Sequence, residues 1–423
     1  MRELEQRYPD VLTVIGVHSG KFRTERDTAR IREAALRLGN THPIVNDRQF
    51  RIWRSYAVNA WPTLAVVDPT GRVVGTHAGE FTAAGLVPLI ERMIEMFSRE
   101  GLLERRPMHF PPDPPAIAPA LLRYPGKVAL DGDRLAIADT GHHRVIVARL
   151  APDGKRATIE RVVGRGEAGF DDGVDGTFNA PQGLAFRGDL LYVADSENHA
   201  VRAVDLSTGA IHTVAGTGRQ LRTRADQQAG AMSSPWDVTM VHGTLYIAMA
   251  GIHQLWSLDP RTRTTRVHSG TFREDIADAP NDSAALAQPM GITSDAHRLY
   301  FVDAESSAVR WSDTDPDGKV GTIIGTGLYD FGDRDGVGDA ALAQHPQGIA
   351  RHPDGRLLVA DSYNDALKWV DPATRAATTW VRGLHEPSGV ACGPAWALVA
   401  DTNAHRIVRV AYDSGEMQEV DIA

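Results

Sequence analysis

Cysteine is nearly absent from this sequence of 423 residues, in which Cys392 is the single example. One thiol cannot form an intramolecular disulfide or a CxxC motif. Cys392 lies in the segment GVACG, whose apolar residues indicate a strand, and an inert buried thiol is the expected state there. The chain as given therefore cannot perform dithiol chemistry.

Long apolar runs and excess basic charge are also missing. No apolar run approaches about 18 residues, the length that spans a bilayer, and the N-terminus lacks the basic-then-apolar pattern of a secretory signal. The sequence therefore predicts a cytoplasmic protein without a membrane span. A net charge of −9 argues against a general binder of nucleic acid, although it leaves a local basic patch open.

Glycine and proline are abundant instead, with 40 and 24 residues, and they mark the turns of a repeated unit. Each copy opens with a proline, and a second short strand ends 14 or 15 residues later, in most copies at an aspartate. Successive copies begin 41 to 57 residues apart. The opening prolines are Pro125, Pro181, Pro235, Pro289, Pro346 and Pro387. The residues at the strand-end position are Asp139, Asp195, Met249, Asp303, Asp361 and Asp401.

The copy Ala180–Leu206 shows how one repeat is built. Turn residues separate three short strands, and the second of these, Leu190–Ala194, has no polar alternation, which indicates a strand covered on both faces. A fourth strand follows most copies. Six four-stranded antiparallel units at this period predict a six-bladed β-propeller, because blades packed in a ring cover one another's faces. The last strand candidate, Gln418–Ile422, is expected to complete blade six.

The repeat also resembles a known family. The segments VADSENHAVRAVD, IADTGHHRVIVARL, VADSYNDALKWVD and VADTNAHRIVRV resemble NHL repeats, and the resemblance extends over residues 121–423. Such a resemblance is specific for the fold but says little about chemistry, because propellers host many unrelated functions.

Residues 1–100 have a different pattern, in which the signals for strands and helices alternate. Asp47 is placed to cap a short helix that runs to about Tyr56. The other predicted elements are a strand at Val11–Val17, a helix at Thr24–Leu38, strands at Thr63–Val67 and Arg72–Thr76, and a helix at Leu86–Phe97.

This order, with the segment YAVNAWPT, resembles the back part of a thioredoxin fold, and the resemblance implies that Pro62 is cis. The whole chain resembles NHL-repeat-containing proteins that carry an N-terminal thioredoxin-like domain. The resemblance implies an α/β thioredoxin-like domain at 1–100 and a six-bladed NHL-type β-propeller at 121–423. The proline-rich stretch 101–120 is expected to be a semi-rigid linker.

The chain departs from that family where the CxxC motif and the strand before it belong, because MRELEQRYPD reads as the last turns of the helix that follows them. Without that strand, Val11–Val17 and Thr63–Val67 either pair directly or belong to a protein that starts upstream of Met1. The second alternative is favoured, because a half-sheet leaves backbone groups unpaired.

Several repeated polar positions could support chemistry. The turn position lies four residues after the strand-end position, and histidine occupies it in four of the six copies, which could suggest a metal site. Ligands spread around a ring do not converge, however, so a structural role is favoured. Strand-end aspartates are expected to bond amides of their own turns. The turn positions are His143, His199, His253, Ser307, Asp365 and His405.

Two further groups of charged residues are open to more than one interpretation. Asp333, Asp335 and Asp339 superficially match a calcium loop, but Val337 breaks the ligand spacing, so turn-forming glycines explain the segment better. Basic residues near the turns could bind RNA or an acidic partner, but solvated surface is favoured because aromatic residues beside them are sparse. These basic residues are Arg144, Arg202, Arg310, Lys368 and Arg406.

Blade three breaks the rules of its own repeat. It opens with Ser-Pro-Trp236-Asp237 where most copies have glycine two places after proline, and Met249 replaces the strand-end aspartate. Such a departure marks a candidate functional site, with Trp236, Asp237 and His253 expected near one rim of the channel. Drift of the repeat, with Trp236 filling a gap between blades, is the favoured alternative.

The sequence thus predicts a non-catalytic binding or scaffold protein with no catalytic residues, cofactor or metal. The expected partner is a protein or peptide, held at the propeller face or beside Trp61 and Pro62; neither a membrane nor nucleic acid is expected. Two enzymatic alternatives stay open. The whole protein could be a thiol-disulfide oxidoreductase if a CxxC precedes Met1, or the propeller could be a metal-dependent lyase or hydrolase.

Overall fold

The computed structural model describes residues 1–79, 81–106, 110 and 120–423. The chain divides into two compact units, Met1–Ala118 and Pro119–Ala423. Most of the expected linker, residues 107–109 and 111–119, lies outside the described residues. In the part of the chain that is described, no helix is long and apolar enough to cross a membrane.

The first unit combines short helices with two small sheets. Strand β1 pairs in parallel with β2, and β3 pairs antiparallel with β4. Strands β1 and β3 lie in separate sheets, so the direct pairing considered from the sequence does not occur. The elements are α1 (Arg2–Arg7), β1 (Gly16–His18), α2 (Thr28–Arg37), β2 (Ile44–Asn46), α3 (Arg51–Ser55), β3 (Thr63–Val67), β4 (Val73–Ala78) and α4 (Ala83–Arg99).

Side-chain caps explain where the first unit's helices begin. The Asp47 carboxylate accepts hydrogen bonds from the backbone amides of Arg51, Ile52 and Trp53, which confirms the predicted cap of α3. Asp27 accepts from the amides of Ala29 and Arg30, so α2 begins after it rather than at Thr24.

The second unit confirms the six-bladed propeller. Within residues 120–423 the chain forms six antiparallel sheets, called blades one to six in chain order. The inner strand of each blade contacts the inner strands of both neighbours, and the ring closes between blades six and one. One short helix, α5 (Arg224–Gln228), lies in the loop before blade three.

The blades use the strands as follows. Blade one has β5 (Val128–Asp131), β6 (Arg134–Asp139), β7 (Arg144–Leu150) and β8 (Arg156–Val163); blade two has β9 (Pro181–Arg187), β10 (Leu190–Asp195), β11 (Ala200–Asp205) and β12 (Ile211–Gly216); blade three has β13 (Pro235–Val241), β14 (Thr244–Met249), β15 (Gln254–Asp259) and β16 (Thr264–Ser269); blade four has β17 (Pro289–Ser294), β18 (Arg298–Asp303), β19 (Ala308–Asp313) and β20 (Val320–Ile324). Blade five has β21 (Gly336–Val337), β22 (Gly348–Arg351), β23 (Leu357–Asp361), β24 (Ala366–Val370) and β25 (Ala376–Arg382), and blade six has β26 (Pro387–Cys392), β27 (Trp396–Asp401), β28 (Arg406–Ala411) and β29 (Met417–Glu419).

An apolar core lies between each pair of neighbouring blades. The second strand of blade two shows why its sequence lacks polar alternation: Leu191 and Val193 pack toward blade one, while Tyr192 and Ala194 pack toward blade three. The same division recurs around the ring and ends with a core shared by blades six and one. Burial on both faces therefore follows from the ring, as the sequence predicted.

The C-terminal segment closes the ring differently from the prediction. Gln418 and Glu419 belong to blade six as expected, but β30 (Asp421–Ile422) pairs in parallel with β8, the outer strand of blade one. Between the two, buried Val420 joins the core shared by blades one and six. The predicted single strand is therefore divided between two blades.

Candidate functional site

The position two residues after each opening proline lines the centre of the ring. Four blades have glycine there, and a Cβ atom on Gly389 would lie 2.7 Å from the carbonyl oxygen of Gly126 in the next blade. Close approach of neighbouring inner strands therefore requires these glycines. The six residues at this position are Lys127, Gly183, Asp237, Gly291, Gly348 and Gly389.

The two exceptions, Lys127 and Asp237, face each other across the ring. Lys127 Nζ lies 3.8 Å from Asp237 Oδ2 and donates a hydrogen bond to the carbonyl oxygen of Gln347. Asp237 accepts from the backbone amides of Val238 at 2.9 Å and Ile292 at 3.1 Å. The two residues are only 3% and 8% exposed. Asp237 is therefore an internal charge of the channel, not a residue open at the rim.

Burial acts on both members of this pair. Desolvation lowers the pKa of Lys127 and raises the pKa of Asp237, and the attraction between the two charges opposes both shifts. A buried charge is tolerated when it is paired and hydrogen-bonded, and each of these groups meets that condition. The pair joins blades one and three, and through Gln347 it also contacts blade five.

Trp236 forms an apolar sector at the start of the inner strands. It is partly buried and packs against a small cluster of Ala250, Met290 and Ala304. Its Nε1 atom is buried and has no hydrogen-bond partner among the described residues. The equivalent residues of three other blades are polar, Gln182, Gln347 and Ser388, so this sector makes the channel mouth asymmetric.

His253 has a structural role that the other turn positions share. Each of the six side chains accepts a hydrogen bond from the backbone amide just before the next blade's opening proline, which confirms the structural interpretation. The bonds join His143 to Ala180, His199 to Ser234, His253 to Gln288, Ser307 to His345, Asp365 to Glu386 and His405 to Tyr124, at 2.9 to 3.1 Å.

Strand-end aspartates bond a different backbone segment from the one predicted. Each accepts from the amide two residues before its own opening proline, as Asp195 does from Asn179 at 2.7 Å. The other amides bonded in this way belong to Arg123, Ala287, Gln344 and His385. Burial raises the pKa of Asp195 to about 6 and that of Asp361 to about 7.

Three of the five basic residues near the turns, Arg202, Arg310 and Lys368, are buried, so the prediction of solvated surface is wrong for them. Arg144 and Arg406 are partly exposed and pair with Asp139 and Asp401. Arg202 is fully buried, with Nη1 2.8 Å from Asp195 Oδ2 and Nη2 2.7 Å from Asp172 Oδ1. Arg310 and Lys368 are buried between equivalent aspartates of blades four and five. These cations hold the blade-connecting loops against the sheets.

The aspartates of the supposed calcium loop have cationic partners. Asp333 and Asp335 pair with Lys368, Asp333 also pairs with Arg382, and Asp339 pairs with Arg375. Within the described residues, no group of three or more His, Cys, Asp or Glu side chains could hold a metal ion.

Blade three compensates for Met249 with a neutral network. Gln254 donates from Nε2 to the carbonyl oxygen of Gly270 at 2.9 Å, and its Oε1 accepts from Trp256 Nε1 at 2.9 Å. Met249 itself is buried in the core between blades two and three. The absence of an aspartate at Met249 is therefore accommodated within blade three, whereas the charge of Asp237 is balanced by Lys127 of blade one.

Trp61 and Pro62 lie in the first unit, at the start of β3. The Trp61–Pro62 peptide bond is cis, which confirms that expectation. Trp61 is 47% exposed, donates from Nε1 to the carbonyl oxygen of Ser19 at 2.8 Å, and lies 4.5 Å from the ring of Trp53. The two rings form an exposed aromatic patch.

Sequence reasoning missed Lys127 as a functional candidate, although its signal was present. Lys127 occupies the same repeat position as Asp237 and breaks the same glycine rule with the opposite charge. Glu197 and Glu305, at the second residue of their turns, were also missed.

The closed ring of six repeats, joined by a polar contact between each blade and the next, defines a six-bladed β-propeller protein, and comparison with known proteins supports an NHL propeller. The NHL repeat family matches residues 178–203, within the copy that contains blade two.

Two curated relatives extend the similarity over nearly the whole chain. "Protein SUPPRESSOR OF QUENCHING 1, chloroplastic" of Arabidopsis thaliana is 37% identical over 458 residues, covering 99% of this chain and 43% of the relative. "NHL repeat-containing protein 2" of Homo sapiens is 36% identical over 468 residues, covering 96% of this chain and 63% of the relative. The chain thus spans less than two thirds of the length of either relative.

A solved structure supports the propeller fold alone. A structural genomics protein of unknown function from Bacteroides thetaiotaomicron has a TM-score of 0.50 and 16% sequence identity, covering 69% of this chain and 70% of that chain.

Proposed function

We propose that this protein is a non-catalytic scaffold whose propeller presents the channel mouth at blade three to a protein or peptide partner. The observation that carries the proposal is the apolar sector at Trp236. Trp236 is a partly exposed tryptophan at a position where three other blades have the polar residues Gln182, Gln347 and Ser388. Tryptophan is enriched among the residues that dominate binding energy at protein interfaces.

The proposal includes a thioredoxin-like character for residues 1–100. Its support is the order of strands and helices, the parallel pair β1–β2 beside the antiparallel pair β3–β4, and the cis bond before Pro62. The exposed patch of Trp53 and Trp61 is the second place where a partner could bind. A cytoplasmic location and a protein or peptide as the partner stay predictions.

Two tryptophan variants of the full chain test where the partner binds. Partners captured by the immobilised wild-type protein are identified by quantitative mass spectrometry, and binding is then measured by calorimetry with the purified partner. We expect Trp236→Ala to weaken binding at least about 30-fold, the effect of losing about 2 kcal/mol at an interface hot spot. Trp61→Ala is expected to leave the affinity within about three-fold.

A matched control removes an exposed aromatic residue from another loop. Tyr329→Ala, at a side chain that is 72% exposed, is expected to bind like wild type. Circular dichroism checks that each variant keeps its fold. Unchanged affinity of the Trp236→Ala protein, or loss of binding only in Trp61→Ala, would reject the channel mouth as the binding surface.

The enzymatic alternatives gain no specific support. The sequence has one cysteine, and burial raises the pKa of Cys392 to about 11, so this thiol is protonated at neutral pH. The four turn-position histidines each use Nδ1 to accept a backbone amide. We therefore propose no reaction for the described residues.

A further inference from the structure

Two glutamates flank blade three at the channel mouth. Glu197 and Glu305 occupy the second residue of the turn between the second and third strands of blades two and four. The equivalent residue of blade three is Gly251, which has no side chain, so nothing projects from that turn between them. All three turns lie at the end of the blades where the inner strands begin.

Contacts of the preceding residues place both glutamates beside the Trp236 segment. Ser196, the neighbour of Glu197, donates from Oγ to the carbonyl oxygen of Pro235 at 2.6 Å. Ala304, the neighbour of Glu305, belongs to the cluster against which Trp236 packs. Trp236 is therefore flanked on both sides by segments that carry a carboxylate.

The two glutamates differ in exposure, because Glu197 is exposed whereas the Glu305 side chain is only 24% exposed. Glu197 is exposed to solvent yet surrounded by enough protein that desolvation raises the pKa of its carboxyl group. The Glu305 side chain is partly buried, with Oε1 3.5 Å from His345 Nε2, and His345 in turn stacks on Tyr363.

Two cations near this mouth, Lys127 and Arg222, already have other partners. Lys127 is committed to Asp237 and to the carbonyl oxygen of Gln347 below the mouth. The guanidinium group of Arg222, in the loop before blade three, donates to Gln220 Oε1 at 2.6 and 3.0 Å. The mouth thus combines an apolar platform with accessible negative charge.

We propose that this mouth takes a lysine or arginine side chain of the partner, an inference that rests on the proposed scaffold function. The aliphatic stem of the basic residue would lie on Trp236, and its charged end would lie between Glu197 and Glu305. A cation is attracted both by the face of a tryptophan ring and by carboxylates in a partly desolvated setting. Charge complementarity therefore selects a basic segment over an acidic one.

The test uses 19F NMR of the full chain labelled with 5-fluorotryptophan. The sequence has eight tryptophans, and the Trp236→Phe variant assigns the Trp236 signal by removing it. The probes are acetyl-arginine amide and acetyl-citrulline amide, which share a shape but differ in charge, at matched ionic strength. We expect the arginine probe to shift the Trp236 signal saturably and the citrulline probe to bind at least about five-fold more weakly.

Charge-neutralising variants complete the test. In Glu197→Gln/Glu305→Gln we expect the dissociation constant of the arginine probe to rise at least about five-fold, whereas the citrulline probe is unaffected. Glu416→Gln, at an exposed residue on the opposite end of blade six, is the matched control and is expected to behave like wild type.

Three outcomes would overturn the proposal: equal binding of the two probes, no effect of the double variant, or no shift of the Trp236 signal by about 50 mM arginine probe. None of these would by itself reject the scaffold function, which fails only if Trp236→Ala leaves partner binding unchanged. Conversely, partner binding that depends on Trp236 but not on the two glutamates would support the scaffold while rejecting a basic occupant.

Discussion

At the scale of single residues, Lys127 and Asp237 show two departures from a repeat that depend on each other. Either charge alone would replace a glycine at a buried position and have no counter-ion. The sequence indicated that Asp237 is unusual, and the one sign of its partner was that Lys127 breaks the glycine rule at the same repeat position. That the two charges meet follows only from the closed ring, because the residues are far apart in the chain. Side-chain pairs of this kind depend on tertiary structure and have no local signal.

A double-mutant cycle tests this dependence. Lys127→Gly and Asp237→Gly should each lower the free energy of unfolding by about 3–5 kcal/mol, because each leaves an uncompensated buried charge. The double variant restores the glycine of the other four blades. Its loss of unfolding free energy should be smaller than the sum of the two single losses by at least about 1 kcal/mol. Urea titration measures all four proteins, and additive effects would contradict the pairing.

At the scale of elements, periodicity predicted the propeller strands well because the second strand of each blade is short, buried on both faces and bounded by turn residues. The first unit was harder to predict. The apolar run Val11–Val17 indicated a strand, but only Gly16–His18 pairs with a neighbour, since a run of apolar residues becomes a strand only where a ladder partner exists. The division of the last strand between two blades also has no local signature.

The C-terminal strand makes its own prediction. Deleting Asp421–Ala423 removes the backbone bond from the Ile159 amide to the Ala423 carbonyl oxygen, at 2.7 Å, and two neighbouring bonds. We expect the free energy of unfolding to fall by about 2–4 kcal/mol, and the Ile159 amide to lose protection in hydrogen exchange.

A point substitution serves as the control for that deletion. Asp421→Asn keeps the backbone bonds and removes only an exposed ion pair with Arg156, so it should change stability by less than about 1 kcal/mol. If the deletion left both stability and exchange at Ile159 unchanged, β30 would have no part in closing the ring.

At the scale of the whole molecule, the apolar cores and the blade-to-blade bonds described for the propeller are formed by its own residues. The apolar cores between neighbouring blades, including the core that closes the ring, use residues from Leu122 to Ile422. Each turn-position bond also joins two residues of this unit.

Residues 120–423 should therefore fold alone. We expect the isolated fragment to show a β-rich circular dichroism spectrum and one cooperative urea transition, because its cores and blade-to-blade bonds are all retained. The control is the same fragment without Asp421–Ala423, which should unfold at lower urea concentration. An aggregated or unfolded fragment would show that residues 1–119 supply stability that the propeller lacks.

The charged pair at the centre of the ring also decides how a ligand could travel. Lys127 and Asp237 lie 3.8 Å apart at the centre of the ring, where a Cβ atom on the glycines would clash with the neighbouring inner strand. An extended chain that passed from one side to the other would have to separate this buried ion pair, so we expect a ligand that enters at blade three to leave on the same side. We therefore expect the propeller to offer a binding site that opens on one face, not a channel that runs through the ring.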